Sequence, residues 1–193
     1  MARRSNARAE PIGSVRIIAG EWRGRRLRIP PHTTVRPTPD RVRETLFNWL
    51  RETIVGARCL DLYAGTGVLG FEALSRGAAE AWLVEADATL VAALDEHAAM
   101  LGARPTIVRA DAAVFLAAKP PRQFDVVFLD PPYAEPVEPL LTLLAEWLRE
   151  HAVVYVERPR SPGLPDVTGG RWIKRAQAGA VEFGLLALKT PPT

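Results

Sequence analysis

The chain has 193 residues, of which 48% are hydrophobic and 24% charged, enough to bury one sizeable core and too few for two full domains. Its net charge of +3 conceals a division: residues 1–43 carry eleven Arg against three acids, a balance of +8, whereas residues 44–193 carry a balance of −5. A single cysteine, Cys59, leaves no disulfide framework or thiolate metal site, and no stretch approaches the roughly 20 apolar residues of a membrane span, so a cytoplasmic protein without a metal is expected.

Met1-Ala2-Arg3-Arg4-Ser5 leads into polar sequence without the apolar centre of a signal peptide, and residues 1–13 are expected to form a flexible basic tail. Val15–Ala19 and Arg26–Ile29 flank Gly20-Glu21-Trp22-Arg23-Gly24 and predict a small β-hairpin, ended by Pro30-Pro31. Arg16, Arg23, Arg25 and Arg36 can neutralise phosphates at several points, with Trp22 interleaved as a stacking surface, so residues 14–37 read as an extension that contacts nucleic acid. The chain uses 22 Arg and 3 Lys, a bias that accounts for the choice of Arg over Lys but not for this clustering.

After the extended Val35-Arg36-Pro37, Thr38 can cap a helix whose first position is Pro39, with Asp40 complementing its positive end. Val42, Leu46, Phe47, Leu50 and Ile54 recur at helical spacing and should face the core, while Arg41, Arg43 and Arg51 project elsewhere. Arg41 and Arg43, with Arg36, are candidates for contact with a phosphate backbone. The alternative is that Arg43 or Arg36 braces the sheet through a buried carboxylate.

From residue 58 onward short apolar strands alternate with helical patterns, as in a parallel sheet covered on both faces. Strands are predicted near 58–62, 81–85, 106–109, 124–129 and 152–156, and helices near 68–76, 88–101, 111–118 and 137–149, with Gly77 and Gly102 as C-terminal caps. Arg171–Ala176 and Ala180–Leu188 around Gln177-Ala178-Gly179 predict a closing antiparallel hairpin. The expected architecture is therefore α/β: a mostly parallel seven-stranded sheet with helices on both faces and a C-terminal antiparallel hairpin. The small N-terminal hairpin and helix extend it, and residues 38–193 form the main domain.

The first turn of this domain is Asp61-Leu62-Tyr63-Ala64-Gly65-Thr66-Gly67-Val68-Leu69-Gly70. Glycines at a strand-to-helix turn let backbone approach a ligand, and the new helix presents unpaired N–H groups to it. Gly65 to Gly70 satisfy the G-x-G-x-x-G spacing, with Glu85 about twenty residues on, and on spacing alone NAD and S-adenosylmethionine fit equally. Charge separates them. Asp61 would repel a pyrophosphate, whereas S-adenosylmethionine carries an ammonium, a sulfonium and no phosphate. Asp61, Glu85, Asp111 and Asp130 all fall at or just after strand ends, where the ligand crevice of an open α/β sheet lies. Glu85 can accept both ribose hydroxyls and Asp111 the adenine amine, with Asp87 a weaker candidate; Asp111 can equally cap the following helix. Tyr63, Ala64, Gly65, Gly67, Ala86 and Ala112 complete the candidate cofactor site. His97 reads as a helix-surface residue, and His32 and His151 form no ligand set with it.

Asp130-Pro131-Pro132-Tyr133, at the end of the apolar run Phe124–Leu129, describes a site for a planar amine. A carboxylate and an outward-turned carbonyl can both accept from an NH2 group while an aromatic ring stacks on the base that carries it. A Pro-Pro turn after a buried strand is the plainer alternative.

Such tetrapeptides resemble the signature of S-adenosylmethionine-dependent methyltransferases of exocyclic amines, and the layout resembles the class I, Rossmann-like members. From Arg16 through Leu188 the sequence resembles the RsmD-type bacterial 16S rRNA guanine-N2 methyltransferases. The resemblance is carried by Arg16-Ile17-Ile18-Ala19-Gly20, Trp22-Arg23-Gly24-Arg25, Arg36-Pro37-Thr38 and Arg41-Val42-Arg43-Glu44-Thr45-Leu46-Phe47-Asn48. The glycine turn with Gly70-Phe71-Glu72-Ala73-Leu74-Ser75-Arg76-Gly77-Ala78, and Asp130-Pro131-Pro132-Tyr133, complete it. Tyr63 and Thr66 stand where Phe and Ser are common in that family. The resemblance implies S-adenosylmethionine as cofactor and a target guanine in small-subunit 16S rRNA, presented on an assembled or assembling subunit; a monomer is expected. A DNA adenine-N6 methyltransferase uses the same amine clamp and is the enzymatic alternative. A non-catalytic RNA-binding assembly factor is the other.

Overall fold

A computed structural model describes residues 13–33 and 38–188 of the chain. Two short antiparallel strands, β1 (Gly13–Arg16) and β2 (Arg26–Ile29), precede helix α1 (Asp40–Trp49). There follow β3 (Arg58–Asp61), α2 (Val68–Ser75), β4 (Glu80–Glu85), α3 (Ala88–Leu101), β5 (Thr106–Arg109), α4 (Ala112–Leu116), β6 (Phe124–Leu129) and α5 (Glu138–Leu144). A 3₁₀ turn at Ala145–Trp147 leads into β7 (Leu148–Pro159), and β8 (Gly170–Ala178) and β9 (Val181–Leu188) end the described chain.

The main sheet has the order β5-β4-β3-β6-β7-β9-β8, parallel from β5 to β7 and antiparallel where β9 pairs with β7 and β8. After β5 the chain crosses back to the other side of β3, so β3 and β6 are neighbours running the same way from opposite halves of the winding. That reversal opens a crevice beyond their C-terminal ends, and it decides where a ligand can sit.

Strand alternation separates two apolar layers. Cys59, Leu83, Phe128 and Tyr155 point to the face covered by α1, α2 and α3, and Leu60, Val84, Val127 and Val154 to the face covered by α4 and α5. Asp61 follows Cys59 by two residues and so shares the first face, as does Asp130 with respect to Phe128. Both layers are fully closed to water at large side chains: Phe128 and Tyr155 on one side and Phe124 on the other are 0% exposed. By the usual cost of cavities, truncating such an aromatic residue would lose about 3–5 kcal/mol.

The predicted elements from residue 58 onward appear in order, with β7 extended at both ends and the predicted 137–149 helix broken into α5 and the 3₁₀ turn. The N-terminal region departs more. β1 covers Gly13–Arg16 rather than Val15–Ala19, because the amides of Ile18 and Ala19 leave the ladder to donate to the Glu72 carboxylate at 2.7 and 3.0 Å. Thr38 does not cap α1. Pro39 occupies the cap position without a side-chain bond, and Thr38 turns its carbonyl to the Arg43 Nε at 3.0 Å.

His97 is not a surface residue: it is 4% exposed, its Nε2 accepts from the Arg28 amide at 3.0 Å, and its Nδ1 lies 3.2 Å from the Thr66 carbonyl. Helical periodicity could not reveal this because the partner strand β2 lies 69 residues away. Arg36 and the end of the 14–37 segment lie outside the described residues, as does the tail before Gly13.

Candidate functional site

The glycine turn is built from inside. Asp61, 3% exposed at the end of β3, accepts from the Gly70 amide at 3.2 Å and from the Tyr63 amide, so its carboxylate ties both ends of the loop. Burial pushes its acid up to about 7, the nearby Glu85 adding to the rise. Gly67 has φ +77, and a side chain there would stand 2.6 Å from both Leu94 and Phe71. The turn therefore packs tightly against Leu94 and Phe71, and only a glycine fits there.

Glu85, half-buried at the end of β4, accepts from Gly65 at 2.8 Å through Oε2 and from Asp87 at 2.9 Å through Oε1. Each oxygen retains a second lone pair, so the carboxylate is pinned in place and still able to accept from a diol. Asp87 caps α3 through Thr89 and Leu90. Asp111 caps α4, taking both Ala113 and Val114 amides on Oδ1 at 2.9 and 3.0 Å. It is exposed, and both cap bonds fall on Oδ1. Ala86 is exposed, whereas the side chains of Ala64 and Ala112 are buried and only their backbone can meet a ligand.

Across the switch point, Asp130 is half-buried just past β6. The Thr38 hydroxyl hydrogen-bonds to it. Burial holds its acid well above the ordinary carboxylate range, Glu157 and Asp61 adding to the rise while Arg158 and Thr38 oppose it. Pro131 is buried, and Pro132 and Tyr133 are exposed. Arg158 braces the loop, donating to the Tyr133 carbonyl at 2.7 Å and the Pro132 carbonyl at 3.4 Å. The Tyr63 hydroxyl donates to Glu135, which joins the glycine turn to the segment that follows Tyr133. A cleft of about 610 Å³ opens beside Tyr133, with Pro136, Val137, Arg158 and Pro165 in its wall.

The four strand-end acids thus fall along one rim of the sheet, with Asp61 and Asp130 on neighbouring strands. The chemistry of this set fits S-adenosylmethionine: a fixed acceptor for the ribose, a cap carboxylate for the adenine amine, and buried acids for a cation. Thr38, Glu135, Glu157 and Arg158 also lie at the site; local sequence pattern gave no signal for the last three and read Thr38 as a cap, because the site partners Asp130, Tyr63 and Tyr133 are distant in sequence from them. Among the described residues no group of three or more His, Cys, Asp or Glu side chains is arranged to hold a metal ion, and no helix is long and apolar enough to cross a membrane.

The candidate nucleic-acid surface divides. Arg23, Arg25 and Arg41 are exposed, and Arg16 is exposed but paired with Asp40 at 2.7 Å. Trp22 is half-buried and packs against the core, which leaves only part of its ring for stacking. Arg43 must be removed from this surface. It is 0% exposed and donates to the carbonyls of Thr38 and Arg16, with Asp40 and the fully buried Glu72 as counter-charges. Bracing through a buried carboxylate is its role, since a phosphate cannot reach it.

The family described as "Conserved hypothetical protein 95" matches residues 15–187. Ribosomal RNA small subunit methyltransferase D of Escherichia coli is 45% identical over 178 residues, covering 90% of this chain and 89% of that protein. The protein of the same name from Haemophilus influenzae is 42% identical over 90% of this chain and 93% of its own length. The solved structure of yhhF from Escherichia coli superposes with a TM-score of 0.85 at 42% identity, covering 93% of this chain and 100% of that one. With the glycine turn and Asp130-Pro131-Pro132-Tyr133 following neighbouring parallel strands, these likenesses identify the chain: it belongs to the RsmD family of S-adenosylmethionine-dependent ribosomal RNA methyltransferases.

Proposed function

We propose that this protein transfers the methyl group of S-adenosylmethionine to the exocyclic N2 amine of a specific guanine in 16S rRNA, on an assembled or assembling small subunit. It acts as a monomer in the cytoplasm, with residues 14–37 as the RNA-contacting extension of a methyltransferase domain spanning 38–193. The observation that carries this reading is the position of Asp130-Pro131-Pro132-Tyr133 across the switch point from the glycine turn. Relatives named as methyltransferases of small-subunit ribosomal RNA support the substrate class.

S-adenosylmethionine supplies an electrophilic methyl group on a cationic sulfur. Glu85 and Asp111 would hold its nucleoside end, and Asp61 would lend negative charge behind the turn when ionised. The amine of guanine has its lone pair delocalised into the ring, so it is a poor nucleophile while planar. Hydrogen bonds to Asp130 and the Pro131 carbonyl favour a pyramidal nitrogen, and Tyr133 stacks on the base that has been splayed out of its helix. The loop braced by Arg158 would fix the amine relative to the cofactor's methyl group, and this positioning would carry most of the rate. Exposed Arg23, Arg25 and Arg41 contact the RNA backbone.

The test is methyl transfer from labelled S-adenosylmethionine to undermethylated small subunits, free rRNA and duplex DNA. Wild type should label the subunit at a guanine N2, and Asp130→Ala should lower kcat by about 10²-fold or more with folding and cofactor affinity retained. Label on DNA adenine would favour the other amine methyltransferase. Unchanged subunit labelling by Asp130→Ala would remove the amine clamp.

A further inference from the structure

The steps above leave one buried acid at the site unused. Glu157 is 4% exposed on β7. Parallel pairing sets Phe128 beside Tyr155 and Leu129 beside Val156, so one further step along both strands brings Asp130 beside Glu157. Alternation puts Tyr155 and Glu157 on the same face, and the Tyr155 hydroxyl donates to Glu157 Oε2 at 2.6 Å. The Tyr155 ring cannot swing away, because it is 0% exposed between Phe128 and Phe183, with ring centroids 6.4 and 6.3 Å distant. A second carboxylate is therefore held still behind the first.

The polar groups facing this pair come from every neighbouring element. Tyr155 and Arg158 belong to β7, Asp61 ends β3, and Thr38 precedes α1, while β9 places Phe183 opposite Glu157. Two poorly solvated carboxylates side by side do not both ionise readily, and they titrate as a unit. Burial raises both acids, the Tyr155 hydroxyl opposing the rise at Glu157.

We propose that Glu157 is a positioning residue for Asp130: the two carboxylates share one proton in the free protein, and the pair together takes up the proton that the methylated amine releases. This rests on the methyl-transfer reading above. The nitrogen lone pair forms the N–C bond, the C–S bond breaks with its electrons left on sulfur, and the cationic nitrogen gives one proton to Asp130. The pair passes from dianion to monoanion. The shared proton is released to solvent when a cationic donor binds beside the two acids, so productive complexes hold the pair unprotonated and the acid limb of kcat reports its titration.

The experiment measures kcat against pH on small subunits for wild type, Glu157→Gln and Tyr155→Phe, with circular dichroism to verify folding. Removing the charge of Glu157 should move the acid limb down by about one pH unit or more, and removing the hydroxyl that stabilises ionised Glu157 should move it up. In the free protein, infrared spectra recorded in an Asp61→Asn background, which removes the other raised acid, should show a protonated-carboxyl band that titrates above the ordinary carboxylate range and is lost in Glu157→Gln. Should Glu157→Gln fail to fold, the upward shift in Tyr155→Phe and the band in the Asp61→Asn background decide. A limb unmoved in the folded variants overturns the proposal while leaving methyl transfer standing. A wild type that does not methylate the subunit overturns both.

Discussion

Asp61 shows how a single side chain can bind stability to ligand chemistry. Its acid stands at about 7 in the folded protein against an ordinary 3.8, so between these values the unfolded chain has released a proton that the folded chain still holds. For an acid raised in this way, stability is greatest below the ordinary value and falls as pH rises through the window, by about 1.4 kcal/mol per unit. Asp61→Asn removes this dependence while keeping an oxygen for the Gly70 amide. In urea titrations its stability relative to wild type should rise from pH 4 to pH 7 and level off above; a constant difference would mean that Asp61 is ionised throughout. The acids at strand ends are legible in the sequence because a parallel sheet gathers its strand termini at one rim. Glu72, Glu135 and Glu157 are not. Glu72 meets Ile18 across 54 residues and Glu135 meets Tyr63 across 72, and such pairings exist only once the sheet order is known.

Among the elements, the N-terminal hairpin is joined to the main domain mostly through backbone. Glu72 takes two of its amides, the Glu21 amide donates to the Ser75 carbonyl at 2.8 Å, and the Ser75 hydroxyl donates to the Ala19 carbonyl at 2.6 Å. Gly20 makes this approach possible: it has φ +83, and a Cβ there would fall 1.8 Å from the Ser75 carbonyl oxygen. Gly20→Ala combines an unfavourable backbone conformation, costing about 1–2 kcal/mol, with a clash against backbone that cannot yield. Protease sensitivity should rise between Gly13 and Pro30, and transfer to the subunit should fall at least tenfold. Affinity for S-adenosylmethionine should change little, because Asp61, Glu85 and Asp130 lie on the main sheet. Equal losses of cofactor and subunit activity would show that the hairpin supports the whole crevice. Periodicity discloses the hairpin, the five parallel strands and their helices, since each is a local pattern. It does not disclose the docking, because Val15, Ile17 and Leu27 join the main core rather than one of their own.

For the whole molecule, the division of charge seen in the sequence becomes spatial. The hairpin carries exposed Arg23, Arg25 and Arg26, α1 adds Arg41, and the strand ends of the main sheet carry Asp61, Glu85, Asp111 and Asp130. A polyanion is drawn to the first surface and repelled by the second, so backbone and reacting base are directed to different places. His97 connects the two, bonding to Arg28 in the hairpin and to Thr66 in the glycine turn. Phosphate contacts release counterions, which makes the basic surface measurable. Substituting Arg23 or Arg25 by Ala should weaken subunit binding alike for methylated and unmethylated RNA and reduce the slope of log affinity against log salt by about one unit each. The same substitutions should leave the equilibrium affinity for S-adenosylmethionine unchanged, since neither side chain borders the glycine turn. Slopes equal to that of wild type would show that the exposed arginines do not meet phosphate, and the RNA would then have to approach along the rim formed by Tyr133 and Arg158.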